Sequence, residues 1–448
     1  MSVLAKGYWS AFTAWHARDE RLLPYLLLER IREIQEQRLR SLVEYAWVCV
    51  SHCREAMERQ GLRPRDFRTA DDLARLPLID GRQFVERPER FLAAGAIRGG
   101  LRIDSSGTSG RSKSIYYDRA ALFLALAHGH RQRLALAPFV GRAFGYRELH
   151  FALPGGVPVQ LRRFYVANSW TPKRIDLDRK LVMPGGATAE AQIAEVNRFR
   201  PAVVRGYGSY LGWLFRTAWE RGLDFERPKA IVYGADSMPE SDREVIEQKL
   251  GIPVLSTYQS VEALRIGFEC GERKGFHLST DALAFRVVDE AGSAVAPGGT
   301  GHLVVSNLTN HATVLLNYKL GDVVTLGRGP CPCGRTLPLI ERIRGRSDDL
   351  VRLPGGAVSH ALVVLEGLRA VRGVVQVQLL QEDVNRFVIR AVSSLAANRS
   401  VASEALVAAL RESISPEVKA EVQWMEAIPA EQSGKTRAVI DLGARHAE

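Results

Sequence analysis

The segment Asp104–Tyr117, DSSGTSGRSKSIYY, gathers small hydroxyl side chains, two glycines and two cations into one short turn-rich stretch. Ser105, Ser106, Thr108, Ser109 and Ser112 are small and polar, while Gly107 and Gly110 carry no Cβ. Backbone without a Cβ approaches a ligand closely or takes up positive φ. Successive N–H groups in such a turn converge on one anion. Arg111 and Lys113 add charge that suits phosphate oxygens. The expectation is a mobile phosphate-grasping loop. Two other readings compete. The first is a P-loop, GxxxxGK[ST]. Counted from Gly107, Lys113 and Ser114 fall in register, but Ser112 stands where the second glycine belongs. A P-loop also opens a helix at its lysine, whereas Ile115-Tyr116-Tyr117 reads as strand. The second is a solvated Ser/Gly linker, which leaves two cations inside the turn unexplained.

A second constellation has metal-ligand character. Cys270 and His277 lie in FECGERKGFH, and Cys331 and Cys333 lie in GPCPCG. Three cysteines and a histidine suit structural Zn²⁺, and four protein ligands leave no open position for catalysis. The alternative is three inert thiols and a surface histidine. Cys49 and Cys53, one helical turn apart, read as small buried hydrophobes.

Elements must hold these groups in place. Residues 20–60 read as helix, with Ile31, Ile34, Leu39, Leu42, Val43, Ala46 and Trp47 at three- and four-residue spacing. From 118 to 250, helical stretches (119–135, 188–198, 209–222, 239–250) alternate with short apolar runs at 149–153, 202–205, 230–233 and 253–256. That alternation predicts α/β layers with parallel strands. Two of the runs end in glycine turns, Gly206-Tyr207-Gly208-Ser209 and Gly234-Ala235-Asp236. Ligands in open α/β sheets sit beyond the carboxyl ends of strands, although ordinary βα turns look the same. Residues 1–346 are expected to form a large N-terminal domain of layered sheets and helices. Residues 347–448 are expected to form a small mobile α/β domain, with helices at 359–369 and 401–413 and strands at 374–381, 386–393 and 419–425. Near its end Gly434 permits a threading loop, and Lys435 is a compact cation suited to developing negative charge.

The chain has 448 residues, 46% hydrophobic and 25% charged, with a net charge of +11 and five cysteines. The size suggests two or three domains. No apolar run reaches the roughly 18 residues of a membrane helix, and the first residues have no uninterrupted apolar core, so a cytoplasmic protein without membrane attachment is expected. The charge favours anionic small molecules. The arginines are scattered and no nucleic-acid motif appears, so no nucleic-acid partner is expected.

The motifs together resemble those of adenylate-forming enzymes, the superfamily of acyl-CoA synthetases, peptide-synthetase adenylation domains and luciferases. SSGTSGRSK is similar to their phosphate loop. Asp72-Leu73-Ala74-Arg75-Leu76-Pro77 resembles the DLxxLP segment of the branch holding phenylacetate-CoA ligases and coenzyme F390 synthetases. Ser256–Ala263, STYQSVEA, resembles Y-G-x-[ST]-E, with Gln259 and Val261 departing from the pattern. There the resemblance implies that Tyr258 stacks on adenine and Glu262 holds Mg²⁺. Tyr318-Lys319-Leu320-Gly321-Asp322 resembles Y-[RK]-x-G-D, implying that Asp322 grips the ribose. Arg344–Leu350 resembles G-R-x-D-D, implying a ribose-side arginine at Arg346 and a hinge at Asp348. Pro429–Arg437 resembles the P-x-x-x-x-G-K-x-x-R loop, whose lysine, Lys435 here, is catalytic; Ala438 stands where a second arginine is expected. The turn matching Gly234-Ala235-Asp236 lines the adenine pocket in the family, and the one matching Tyr207, Gly208 and Ser209 lies near the acyl substrate. The CxCGR loop with an upstream Cys and His also recurs in F390-synthetase-like ligases.

The implied activity is ATP-dependent conversion of a carboxylic acid to an acyl-adenylate and pyrophosphate, then transfer to a thiol, with CoA the expected acceptor. An amine acceptor, or transfer of AMP itself, stays open. ATP, Mg²⁺, CoA and structural Zn²⁺ are the implied cofactors, and a monomer or homodimer is expected. Tyr207, Tyr210 and Phe151 suggest an aromatic acyl pocket or, equally, core.

Overall fold

The structure, a computed structural model, describes residues 2–93, 95–104, 113–171, 178–183, 188–346, 350–355, 358–393, 397–429 and 437–442. Ser105, Ser106, Gly107, Thr108, Ser109, Gly110 and Arg111 of the expected phosphate loop, the expected hinge Asp348 and the expected catalytic Lys435 lie outside the described residues.

The first two strands, β1 (Leu101–Asp104) and β2 (Ser114–Tyr117), pair antiparallel with Asp104 opposite Ser114. The expected phosphate loop therefore joins two hairpin strands, and Lys113 leads into a strand. A P-loop needs a helix at that point, so the P-loop reading falls.

Five parallel strands follow: β3 (Arg147–Phe151), β4 (Asp178–Val182), β5 (Val203–Tyr207), β6 (Ala230–Gly234) and β7 (Val254–Tyr258). In space they run β4-β3-β5-β6-β7. Their near-continuous apolar runs, such as Ala230-Ile231-Val232, reflect burial on both faces. The parallel pairing expected over 118–250 is present, and beyond Tyr258 the sheet changes direction. It continues antiparallel through β8 (Gly267–Glu269), β9 (Phe276–Leu278), β10 (Leu283–Val288), β11 (Thr300–Asn307), β12 (Tyr318–Leu326) and β13 (Leu339–Arg346), giving eleven strands in all. No crossover helix separates these later strands, and each hydrogen-bonded pair among them is antiparallel, with β13 closing on β9.

Helices cover the sheet. The first, α1 (Val3–Asp19), was not foreseen; its aromatics Trp9 and Phe12 pack inward, with Trp9 stacked on Phe123 at 5.0 Å. The expected single helix over 20–60 is two, α2 (Leu28–Cys49) and α3 (Ser51–Arg59), broken where Val50 adopts extended backbone. Cys53 is buried, in keeping with its hydrophobic reading. Helix α4 (Gly81–Glu86) is short and capped by Asp80, whose carboxylate accepts the Gln83 N–H at 2.8 Å. Helix α5 (Arg119–Val140) starts at Asp118, which accepts the Ala121 N–H at 2.9 Å. It stops where Gly141 turns to φ +87. Three more helices follow: α6 (Val157–Asn168), α7 (Ala189–Phe199) and α8 (Gly208–Glu220). A buried ion cluster ties α2 to α5: Arg131 donates to both oxygens of Asp281 at 2.7 and 2.9 Å and also pairs with Glu20, while Arg38 reaches Asp281 at 3.0 Å. These guanidiniums hold the Asp281 carboxyl well below the ordinary range despite its burial.

The C-terminal part carries its own sheet. A small hairpin, β14 (Leu350–Arg352) with β15 (Val358–His360), leads into α9 (Ala361–Arg369). Strands β16 (Val374–Asp383), β17 (Arg386–Ser393), β18 (Lys419–Trp424) and β19 (Val439–Asp441) form a four-stranded sheet in the order β18-β17-β16-β19. Helix α10 (Arg399–Ser413) packs Leu406 and Leu410 into a core with Val364, Leu365, Leu379 and Ile389. No helix among the described residues is long and apolar enough to cross a membrane.

Candidate nucleotide site and metal centre

The carboxyl ends of β5, β6 and β7 lie level, with Tyr207 opposite Gly234 and Gly234 opposite Thr257. The two glycine turns singled out in the sequence meet there. Asp236 accepts from the Gly208 N–H at 2.5 Å, and from the Ser209 hydroxyl. A side chain at Gly208 would lie 2.6 Å from the Met238 nitrogen, so only glycine lets these turns close. Ala235 sits at φ +72, a conformation that L-residues rarely adopt.

One step along the sheet, β7 delivers Tyr258 and the following turn delivers Glu262. Lys113, at the start of β2, donates to Glu262 Oε1 at 3.2 Å and to the Tyr318 hydroxyl at 2.8 Å. The Tyr318 hydroxyl in turn lies 3.4 Å from Glu262 Oε1. The Glu262 backbone is fixed from below, its carbonyl accepting from Asn307 at 3.2 Å. A Cβ on Gly81 would stand 2.9 Å from Lys113 Nζ, so a larger residue there would push the ammonium from its present place. Sequence reasoning paired neither Tyr318 nor Gly81 with Lys113. Tyr318 opens a recognised motif, but its role depends on a contact 205 residues away along the chain.

On β12 and β13, Asp322 and Arg346 are direct cross-strand partners. Arg346 donates to Asp322 Oδ1 at 3.2 Å and to the Leu320 carbonyl at 3.3 Å. Gly321, at φ +91, leaves space that the Arg346 guanidinium occupies. The Tyr258 hydroxyl donates to Asp322 Oδ2. The Tyr258 ring is 6% exposed and packs on Phe276, so what it turns toward Asp322 is its hydroxyl. Burial, then the Asp322 charge, raises that phenol well above its usual pKa. Tyr207, Gly234, Asp236, Tyr258, Glu262, Asp322, Arg346 and Lys113 are thus drawn together along one edge of the sheet. Phe151 and Tyr210 are not. Phe151 is fully buried in the core on the other face with Leu211 and Leu214, and Tyr210 packs beside it at 5.4 Å.

The cysteine cluster assembles on the antiparallel side. Cys270 follows β8, His277 lies in β9, and Cys331 with Cys333 occupies the turn between β12 and β13. The four ligand atoms lie within 4.8 Å of one another. Cys270 Sγ is 3.6 Å from Cys331 Sγ, and His277 Nε2 is 3.4 Å from both Cys270 Sγ and Cys333 Sγ. Tetrahedral zinc, with bonds of about 2.3 Å to sulfur and about 2.0 Å to nitrogen, sets sulfurs about 3.8 Å apart and sulfur and nitrogen about 3.5 Å apart. The donor set and its spacing fit that ion. Burial, then the Arg335 charge, lowers the His277 imidazole to about 4, which keeps it in the neutral form a metal needs.

Residues 353–441 match the CapK C-terminal domain family. The chain is 27% identical over 448 residues to a phenylacetate-coenzyme A ligase of Thermus thermophilus, covering 92% of this chain and 97% of that one. It is 26% identical to the corresponding Escherichia coli ligase over 73% of this chain and 74% of that one. Among solved structures it is similar to a 2-hydroxyisobutyryl-CoA ligase in the postadenylation state, with a TM-score of 0.74, 18% identity, and coverage of 95% of this chain and 93% of that one. The fold is that of the adenylate-forming enzymes. Over most of its length the chain is similar in sequence to phenylacetate-CoA ligases.

Proposed function

We propose that this protein is an ATP-dependent acid–thiol ligase. It joins a carboxylic acid to AMP with release of pyrophosphate and then passes the acyl group to CoA. The observation that carries this is the convergence of Lys113, Glu262, Asp322 and Arg346 beyond the parallel strands, where open α/β sheets take their ligands. The named relatives are acid–CoA ligases.

Each residue has a role in this reading. The 105–111 turn and Lys113 hold the β- and γ-phosphates. Glu262 holds Mg²⁺, and Asp322 with Arg346 holds the ribose. Tyr258 fixes the Asp322 carboxylate from beneath, and Tyr318 aligns Lys113 with Glu262. The Gly234–Asp236 turn borders the adenine, and Tyr207–Ser209 borders the acid. Lys435 neutralises charge between the acid carboxylate and the α-phosphate. Positioning and charge neutralisation supply the rate, as in other phosphoryl transfers. Residues 347–448 act as a lid that turns about Asp348 after adenylation, withdrawing Lys435 and admitting the thiol. Cys270, His277, Cys331 and Cys333 hold a structural Zn²⁺.

The test is pyrophosphate release across a panel of carboxylic acids, with and without CoA. Acid-dependent pyrophosphate release, and thioester only when CoA is present, is expected. Turnover that needs an amine, or AMP transfer without a thioester, would replace the CoA step. No pyrophosphate with any acid would refute the proposal.

A further inference from the structure

The sheet face beneath Tyr207 is cationic. Side chains alternate faces along a strand, so Val203, Arg205 and Tyr207 share one face of β5. Val203 packs with Leu136 and Val140 of α5, which identifies that face as the α5 side. Arg205 therefore stands two residues deeper than Tyr207, about 7 Å along the strand. Opposite Arg205 in register is His150. Arg205 donates to Glu148 Oε2 at 2.7 Å and to the Gln132 side chain of α5 at 3.0 Å. Glu148 Oε1 is taken by Arg179. Both oxygens of this carboxylate are thus engaged.

Arg265 meets the same stripe of α5 about one turn nearer the helix N-terminus than Gln132. It follows the Glu262 turn by three residues, and its Nε donates to the Ala125 carbonyl at 2.7 Å. Gly129 makes room for it, since a Cβ there would stand 2.8 Å from Nη2. Among the described residues Arg265 has no carboxylate partner. Burial first, then Arg205, Arg133 and Arg179, pulls its guanidinium down to about 10. Burial, with Arg179 and Arg205, lowers His150 to about 3, so the imidazole adds no charge. Arg265 is partly buried, and a guanidinium with no carboxylate beside it is free to pair with an anion that arrives with the substrate. An apolar or aromatic acyl pocket would not be built this way, and two of the three aromatics first suspected of forming one, Phe151 and Tyr210, are in the opposite core.

We infer that the acid activated by this enzyme carries a second anionic group, which lies between Arg265 and Arg205. The inference rests on the acid-adenylation reading above. A carboxylate or another oxyanion meets the same planar donors.

The test is calorimetric binding of matched acids to the full chain: phenylacetate against 4-carboxyphenylacetate and 4-sulfophenylacetate, and hexanoate against adipate. The dianionic member of each pair is expected to bind at least tenfold more tightly. Arg265→Gln should abolish that preference while leaving monoanion affinity within twofold, and Arg265→Lys should retain part of it. The carboxylate and sulfonate arms separate the two kinds of second anion. Equal or absent binding of the dianions by the natural chain overturns the inference, whether or not the Gln variant folds; so does a preference that survives in folded Arg265→Gln. Dianion binding without pyrophosphate release supports this site and refutes the adenylation reading. Pyrophosphate release that favours the monoanions does the reverse.

Discussion

Replacing Cys331 by serine removes one of four donors in a cage whose edges, 3.6 Å between sulfurs and 3.4 Å between nitrogen and sulfur, already match tetrahedral zinc. Structural zinc contributes about 10–16 kcal/mol of apparent binding free energy in small zinc peptides, where it also folds the chain. Here β8, β9 and β13 are already paired, so only the turn at 331–334 and the Cys270 loop depend on the ion. A loss of a few kcal/mol on removing one ligand is the scale to expect, within the range for loss of a metal site. Purified protein should contain about one zinc per chain by elemental analysis. Cys331→Ser should lower metal content and melting temperature together. A chelator should lower the natural protein to the melting point of the variant and change the variant little. Uptake of zinc by the apoprotein should release about three protons, one per thiol. Full stability and full activity in protein shown to hold no metal would refute the reasoning. Zinc retained in undiminished amount by Cys331→Ser would do so as well.

Three further outcomes follow from the geometry. Lys113→Ala should raise the KM for ATP and slow adenylation while leaving the acid's KM nearly unchanged, since Lys113 contacts Glu262 and Tyr318 rather than the Tyr207 turn; a matching rise in the acid's KM would count against it. Lys435→Ala should reduce adenylate formation by on the order of a hundredfold, the scale of a lost electrostatic group, yet spare thioester formation from preformed acyl-adenylate; equal loss in both half-reactions would sink the swinging lid. Burial lowers His52 and His130 to about 4 and His150 to about 3. Their unfolded values lie near 6.5, so below that pH only the unfolded chain takes up these protons. Stability is complete above about pH 6.5 and falls by up to about 4 kcal/mol per unit toward pH 4, at about 1.4 kcal/mol per histidine before solvent screening reduces it; urea midpoints that stay level between pH 7 and 4.5 would contradict this.

The sequence made some of this legible and hid the rest for physical reasons. The β3–α–β alternation showed through because parallel strands bury both faces and so read as apolar runs. The change to antiparallel pairing after Tyr258 carried no such signal, because short strands in an antiparallel sheet resemble any apolar run. Helix α1 was missed because its aromatics are spread over several faces, with Tyr8 and Trp15 exposed while Trp9 packs inward. The break at Val50 has no proline or glycine to announce it. Lys113 could be named from the residue types of its turn, and Glu262, Asp322 and Arg346 from the motifs they resemble. That Tyr318 bridges two of them, and that Tyr258 presents its hydroxyl to Asp322, depends on strand register. The Cys/His set was visible as residue types, but only the pairing of β9 with β8 and β13 explains why distant ligands converge. Phe151 and Tyr210 stayed open between pocket and core because an aromatic beside a glycine turn looks the same whether it faces ligand or core. Arg205 and Arg265 carry no motif, and only the fold brings them to one helix.

The most direct measurement is chromatographic identification of the nucleotide product when the purified chain turns over ATP with a carboxylic acid. The account predicts AMP and pyrophosphate in equal amounts, with an acyl-adenylate trapped when CoA is withheld. ADP and inorganic phosphate would contradict it.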